Sequence, residues 1–323
     1  MTKVIRWGII GCGDVTEVKS GPAYQQTKGF SISAVMRRNP EKVADYAKRH
    51  KIPKYYTNAD DLINDAEVDA VYIATPPDSH KLYALKVAEA RKICCIEKPM
   101  APSYNDCVLI TKAFADKKLP LFVAYYRRTL PRFLKVKEWI DKGLIGEPNH
   151  ISWVFSKPAN ATDLSGAYNW RTDAKIAPGG YFDDLASHGL DFFNYILGNI
   201  TAANGIAINK YKFYSAKDNI TASWLHPNGV VGSGTWCFGS KEAQDEVTIY
   251  GSKGRIEFSI FQLKPFQLIT DSHTEINEIA HPKHIQHYHV EAMRDQLSDL
   301  GMHPCNGEEG AHTAWVMDQI LAD

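Results

Sequence analysis

The chain has 323 residues, 44% of them hydrophobic, and its 37 Lys plus Arg are matched by 37 Asp plus Glu. A balanced surface with no basic run offers nothing to a nucleic-acid backbone, and no apolar stretch approaches the ~20 residues that a membrane helix needs. The length suits two domains, and the start passes into Val4-Ile5-Arg6-Trp7-Gly8-Ile9-Ile10 without a leader pattern, so a cytoplasmic protein is expected.

That first apolar strand breaks at Gly11-Cys12-Gly13-Asp14-Val15-Thr16, where a helix should begin. Gly11 permits the tight turn, and Gly13 lets a pyrophosphate approach the backbone N–H groups of the helix start. The third position of this fingerprint holds Thr16 instead of Gly or Ala. Ser20-Gly21-Pro22 interrupts the helix, which is expected to be short or to restart with Pro22 in its first turn. Phe30 to Met36 alternates like a strand and ends at Arg37-Arg38, roughly 20 residues past the glycine turn, where a dinucleotide domain meets the adenosine ribose. An acid there binds both ribose hydroxyls; a guanidinium favours a 2′-phosphate. NADP is therefore expected over NAD.

Asn39, Pro40 and Glu41 open an amphipathic helix that runs to about His50, and a short helix follows near Asp60 to Ile63. A strand over 68–75 stops at Pro76-Pro77, and Asp78 and Ser79 are placed to cap a helix carrying His80. The run Ile93-Cys94-Cys95-Ile96 reads as a buried parallel strand that ends abruptly in Glu97-Lys98-Pro99. Its carboxyl end should direct Glu97 and Lys98 into a binding crevice. Ser103 caps a helix to about Lys117, and 119–124 forms another strand. This alternation predicts a doubly wound parallel sheet over 1–123, its ligand edge lined by Gly11, Arg37, Thr75 and Glu97.

From 124 the pattern changes. A helix over 133–142 stops at Gly143, and period-two segments follow at 149–155, 206–214, 220–225, 230–237, 246–250, 255–258 and 266–270. Glycine-bearing turns between them suit a largely antiparallel sheet, and helices over 284–300 and 308–321 close the chain. An α+β domain over 124–323 is expected, packed with the first around a shared cleft. Asp184 and His188 are four apart, so a helix would stack them on one face, where the carboxylate can orient the imidazole. Tyr126, Trp170, Arg171 and Tyr288 are candidate substrate contacts. His281, His284, His287 and His289 fit no usual ligand spacing and are interrupted by Pro282, so no metal site is expected. The six cysteines lack a C-x-x-C pattern and should be reduced and mostly buried.

The glycine turn, Ala74-Thr75-Pro76-Pro77 with His80, the Glu97-Lys98-Pro99 triplet and the stretch from Gly179-Gly180 through Asp184 to His188 together resemble the Gfo/Idh/MocA oxidoreductases. The resemblance covers essentially the whole chain. It implies a Rossmann domain followed by an open-faced α/β domain whose sheet is often the oligomer interface, in a homodimer or homotetramer. It also implies a nicotinamide at the domain boundary and often a cis bond before Pro99. Lys98, Asp184 and His188 match the family's catalytic lysine, aspartate and histidine. Cofactor contacts are expected from Gly11, Cys12, Gly13, Asp14, Val15, Arg37, Arg38, Thr75, Pro76, His80, Glu97 and Lys98.

The expected chemistry is reversible hydride transfer between nicotinamide and a hydroxyl-bearing carbon of a sugar, polyol or related diol. His188 would take or return the hydroxyl proton, Asp184 would hold the His188 tautomer and favour its protonated form, and Lys98 would polarise the same oxygen, with an exchange of duties between Lys98 and His188 as the alternative. A silent cofactor-binding sensor and a redox-assisted glycosidase are the alternatives on the same fold.

Overall fold

The computed structural model describes residues 4–322. Packing divides the chain into two units. The first runs to Leu130 and takes in His281–Ala311; the second comprises Pro131–Ala280 and the residues from His312 onward. One continuous domain is expected over 124–323. Instead a late excursion, with its helix His287–Gln296, packs with the first unit.

The first unit is built on six parallel strands: β1 (Ile5–Ile10), β2 (Phe30–Met36), β3 (Lys54–Tyr56), β4 (Ala70–Ile73), β5 (Ile93–Ile96) and β6 (Leu121–Val123). Their order is β3-β2-β1-β4-β5-β6. The winding reverses between β1 and β4, and the crevice outside the carboxyl ends at such a reversal is where open α/β sheets bind ligands. Caps act where the sequence placed them: the Asn39 side chain accepts the Lys42 N–H at 2.8 Å, and Ser103 accepts that of Asp106 at 3.2 Å. The interrupted first helix is both short and restarted, as Asp14–Val18 and then Gly21–Gln26 with Pro22 at its start. Ser79 does not cap its helix. Its hydroxyl turns back to Thr75 Oγ1 at 2.7 Å and the Pro76 carbonyl at 2.9 Å, because a 3-10 turn over Pro77–Ser79 precedes helix His80–Glu89.

In the second unit, β7 (Pro148–Ser156), β8 (Ala202–Ile208), β9 (Asn219–Leu225), β10 (Val231–Cys237), β11 (Gln244–Gly251), β12 (Gly254–Phe258), β13 (Phe266–Thr270) and β14 (Thr274–Asn277) form one sheet. The order is β14-β13-β12-β11-β7-β10-β9-β8, antiparallel except for the pairing of β7 with β10. One face is buried under aromatic packing: Trp236 meets Phe182 at 4.9 Å and Trp153 at 5.3 Å, and Trp153 meets Phe193 of helix Ser187–Leu197 at 5.7 Å. Each large apolar side chain so buried contributes roughly 1.5–3 kcal/mol. The strand expected over 206–214 ends at Ile208, because the Asp218 carboxylate takes the N–H groups of Lys210 and Tyr211 and folds the chain into a loop. β14 was not anticipated; Ile276 is its one apolar residue, so it carries no alternation of apolar and polar positions.

Among the described residues no helix is long and apolar enough to cross a membrane. All six cysteines are free; Cys237 is partly exposed and the others are buried.

Candidate active site

The glycine turn leaves β1 with Gly11 at φ +95°, a conformation that L side chains rarely adopt. A Cβ there would lie 2.8 Å from both the Ala74 carbonyl carbon and Thr75 Cγ2, so the residue identity fixes how closely the loops after β1 and β4 approach. At Gly13 a Cβ would meet only the Gly11 oxygen, at 4.0 Å, so this protein's own packing makes no demand for glycine there. Cys12 is wholly buried and offers only its backbone, while Asp14 is exposed and Val15 partly so. Thr16, in place of the third small residue, is buried with its hydroxyl on the Gly13 carbonyl at 2.8 Å.

Arg37 follows β2 and lays its guanidinium on this turn, donating from Nη1 to the Cys12 carbonyl at 3.2 Å. Arg38, next to it, is exposed. An open glycine backbone with a cation held over it suits a phosphate-bearing dinucleotide.

Thr75 and Pro76 are partly exposed after β4. His80 is fully buried, with Nε2 2.8 Å from the Thr75 carbonyl and Nδ1 3.1 Å from that of Pro99. Any influence it has on a cofactor passes through the two loops it pins together. The Lys98-Pro99 peptide is cis.

Glu97 does not face the crevice as expected. It is 7% exposed, and its Oε1 accepts from the Tyr72 hydroxyl and from Gln286 Nε2, the latter at 2.6 Å. Successive side chains leaving a strand turn to opposite sides, so Glu97 anchors the loop from below while its neighbour Lys98 remains partly exposed. Glu97 Oε2 also accepts the Lys98 N–H at 3.2 Å. Tyr72 and Gln286 were missed; Gln286 lies 189 residues from its partner, and no local pattern marks it.

The late excursion docks beside this anchor through buried histidines. His289 Nε2 is 3.6 Å from Cys95 Sγ, and its Nδ1 is 2.9 Å from His303 Nε2. Burial keeps both imidazoles neutral, pushing His303 down to about 3, and raises the Cys95 thiol well above its usual range. His284 instead holds the Val18 carbonyl, at 2.6 Å. Among the described residues no group of three or more metal-ligating side chains is placed to hold an ion. Tyr126 is buried under the Arg127 guanidinium, and Tyr288 is exposed on helix His287–Gln296.

In the second unit, Asp184 lies in a single π-helical turn, Phe182–Ala186, and His188 is the second residue of the α-helix that follows. Such turns re-aim side chains and are frequent at functional sites. Asp184 Oδ2 accepts from Arg171 Nε at 2.9 Å, and the Arg171 guanidinium stacks on Trp170 at 4.4 Å. The residue read as a substrate contact is thus the partner of the expected catalytic aspartate. His188 is 3% exposed, its ring edge-on to Phe261. A Cβ at Gly189 would sit 2.3 Å from the Trp153 ring, so glycine lets this helix lie directly on the sheet and fixes the depth of His188.

Residues 5–125 match the family described as "Oxidoreductase family, NAD-binding Rossmann fold", and residues 133–257 match its "GFO/IDH/MocA C-terminal domain". The chain belongs to the Gfo/Idh/MocA oxidoreductases. An oxidoreductase of Formosa agariphila is 37% identical, with 98% of each chain covered. A 1,5-anhydro-D-fructose reductase of Ensifer adhaerens is 25% identical over 98% of this chain and 94% of its own. The crystal structure of an Agrobacterium radiobacter oxidoreductase in complex with NAD+, L-tartaric acid and magnesium shares the fold, with a TM-score of 0.87 at 22% identity, covering 98% of this chain and 95% of that one. This protein is accordingly an NAD(P)-dependent oxidoreductase.

Proposed function

We propose that this Gfo/Idh/MocA enzyme prefers NADP and moves a hydride between nicotinamide and a hydroxyl-bearing carbon of a sugar, polyol or related diol. The observation that carries the cofactor half is Arg37, held over the glycine turn by its bond to the Cys12 carbonyl at 3.2 Å. A fixed guanidinium at the end of β2 matches a 2′-phosphate, and Arg38 adds a second cation beside it. Backbone from Gly11 to Val15, with Thr75 and Pro76, completes the cofactor contacts, while His80 and Glu97 hold the loops that carry them.

A bound nicotinamide dinucleotide supplies or takes up the hydride. Lys98 polarises the reacting oxygen, and its loop is steadied by the buried Glu97. His188 takes or returns the hydroxyl proton, and Asp184, steadied by Arg171, favours the protonated imidazole. The substrate class is supported by the relative named for 1,5-anhydro-D-fructose reduction. Tyr126, Trp170 and Tyr288 remain the proposed substrate contacts.

The outer face of the eight-stranded sheet exposes Ile206, Ile208, Leu225, Val231 and Tyr250, which supports burial of this face against a second copy in a homodimer or homotetramer. Light scattering on the purified protein tests that. The activity is tested by incubating the enzyme with sugars, polyols and dihydrodiols and each cofactor, read at the nicotinamide absorbance. Turnover with NADPH or NADP supports the reading; cofactor binding without turnover of any of these classes counts against it.

A further inference from the structure

The carboxylate of Asp183 straddles the glycine that leads into the π-helical turn. Its Oδ2 accepts the Gly179 N–H at 2.9 Å, and its Oδ1 lies 2.4 Å from where a Cβ on Gly179 would stand. The loop is thereby drawn back onto the turn. The next residue, Gly180, sits at φ +64° with its N–H on the Ala177 carbonyl at 2.9 Å, and the chain then enters Phe182–Ala186. Asp183 is adjacent in sequence to Asp184, which meets Arg171. The mechanism proposed above gives Asp183 no task, and an acid is an unexpected choice for a merely structural place beside two other aspartates, Asp184 and Asp318.

We propose that Asp183 is a positioning residue: by clasping the Gly179 N–H it fixes the π-helical turn and so the place of the Asp184 carboxylate beside Arg171. This rests on the reading of Asp184 and His188 as the acid–base pair. The clasp also titrates. The groups that face Asp183 are the Gly179 N–H, Asp184 on its own turn and Asp318 on helix Gly307–Leu321. Loss of hydration, followed by the charges of Asp318 and Asp184, pushes the Asp183 carboxyl up to about 7, against the pull of the Gly179 N–H. Above that pH the ionised carboxylate makes the stronger, charge-assisted bond to Gly179; below it the neutral acid holds the turn less tightly. The rate should therefore fall on the acid side of neutrality through Asp183.

The test compares Asp183→Asn, which keeps an acceptor oxygen but cannot titrate, with Asp183→Leu, which has no acceptor. Loss of a charge-assisted bond corresponds to about tenfold or more. Asp183→Leu should lower kcat by about that factor with KM little changed, and Asp183→Asn should lose the inflection near pH 7. Independently of turnover, the amide signal of Gly179 in glycine-labelled protein should titrate with a midpoint near 7 in the wild type and stay flat in Asp183→Asn, which also serves if Asp183→Leu does not fold. An unchanged inflection in Asp183→Asn, or a Gly179 signal that does not respond to pH in the wild type, overturns the proposal. His188→Ala assayed in parallel separates the two ideas: full activity there defeats the acid–base reading, whereas an inactive His188→Ala beside an Asp183→Asn that behaves as wild type defeats only the positioning role.

Discussion

Arg171 donates from Nε to Asp184 Oδ2 at 2.9 Å, joining a short 3-10 turn, Trp170–Thr172, to the π-helical turn that carries the aspartate. The arginine side chain is 42% exposed and the aspartate 17%, so the pair contributes little to stability, about 0–1 kcal/mol. Its effect should be on geometry. Arg171→Ala should reduce kcat several-fold while leaving the melting temperature within a few degrees. A rise in KM at unchanged kcat would return Arg171 to the role of substrate contact.

Lys98→Met and His188→Ala should each lower kcat by about 10² to 10⁴, the usual contribution of a positioned acid, base or polarising group. Cofactor affinity, followed by quenching of protein fluorescence, should stay close to that of the wild type. Near-normal kcat in both variants would remove them from the mechanism.

Arg37→Ala and Arg38→Ala, together, should cost NADPH affinity roughly ten- to a hundredfold with NADH nearly unaffected, the value of one charge-assisted contact to a phosphate. Binding titrations with the two nucleotides decide it. Equal losses for both cofactors would mean that Arg37 supports the glycine turn and does not select the cofactor.

Gln286→Leu removes a buried donor to Glu97 and leaves that carboxylate with one partner fewer in a site that is 7% exposed. Hydrogen bonds to charged groups contribute about 1.5–3 kcal/mol, so the urea midpoint should fall by a corresponding amount. Because the same bond steadies the Lys98 loop, kcat should drop too. A variant with wild-type stability would show that Tyr72 and the Lys98 N–H suffice to hold Glu97.

Glu17 accepts from both terminal nitrogens of Arg49, at 2.7 and 2.9 Å, and from His50. These bonds, Arg49 first, hold its carboxyl down to about 2 against partial burial. A folded value below the unfolded one, about 4.3, means that the stabilisation is complete above that pH and is lost as pH falls toward 2. Glu17→Gln should therefore melt lower than the wild type at pH 6, with the difference shrinking between pH 4 and 2.5. Melting curves that stay equally spaced across that range would contradict this.

Local physics made much of the molecule legible from its residues alone. Glycine at a turn, Asn39 and Ser103 at helix starts, proline at Pro22 and the switch from alternating strands and helices to period-two segments each act within a few positions, so the two sheets and the glycine turn follow from the sequence. The Glu97-Lys98-Pro99 triplet and the four-residue spacing of Asp184 and His188, with the family resemblance they carry, set the expectation that Lys98, Asp184 and His188 matter.

What the sequence left open depends on partners that are remote along the chain. Glu97 faces inward because Tyr72 and the distant Gln286 satisfy it there; Arg171 is occupied because a π-helical turn aims Asp184 at it; and 281–311 packs with the first unit because Gln286 and His289 find their partners on and beside its sheet, with His303 backing His289. A buried polar group must find a hydrogen bond wherever packing brings one, and only the folded chain determines which of many chemically equivalent groups arrives.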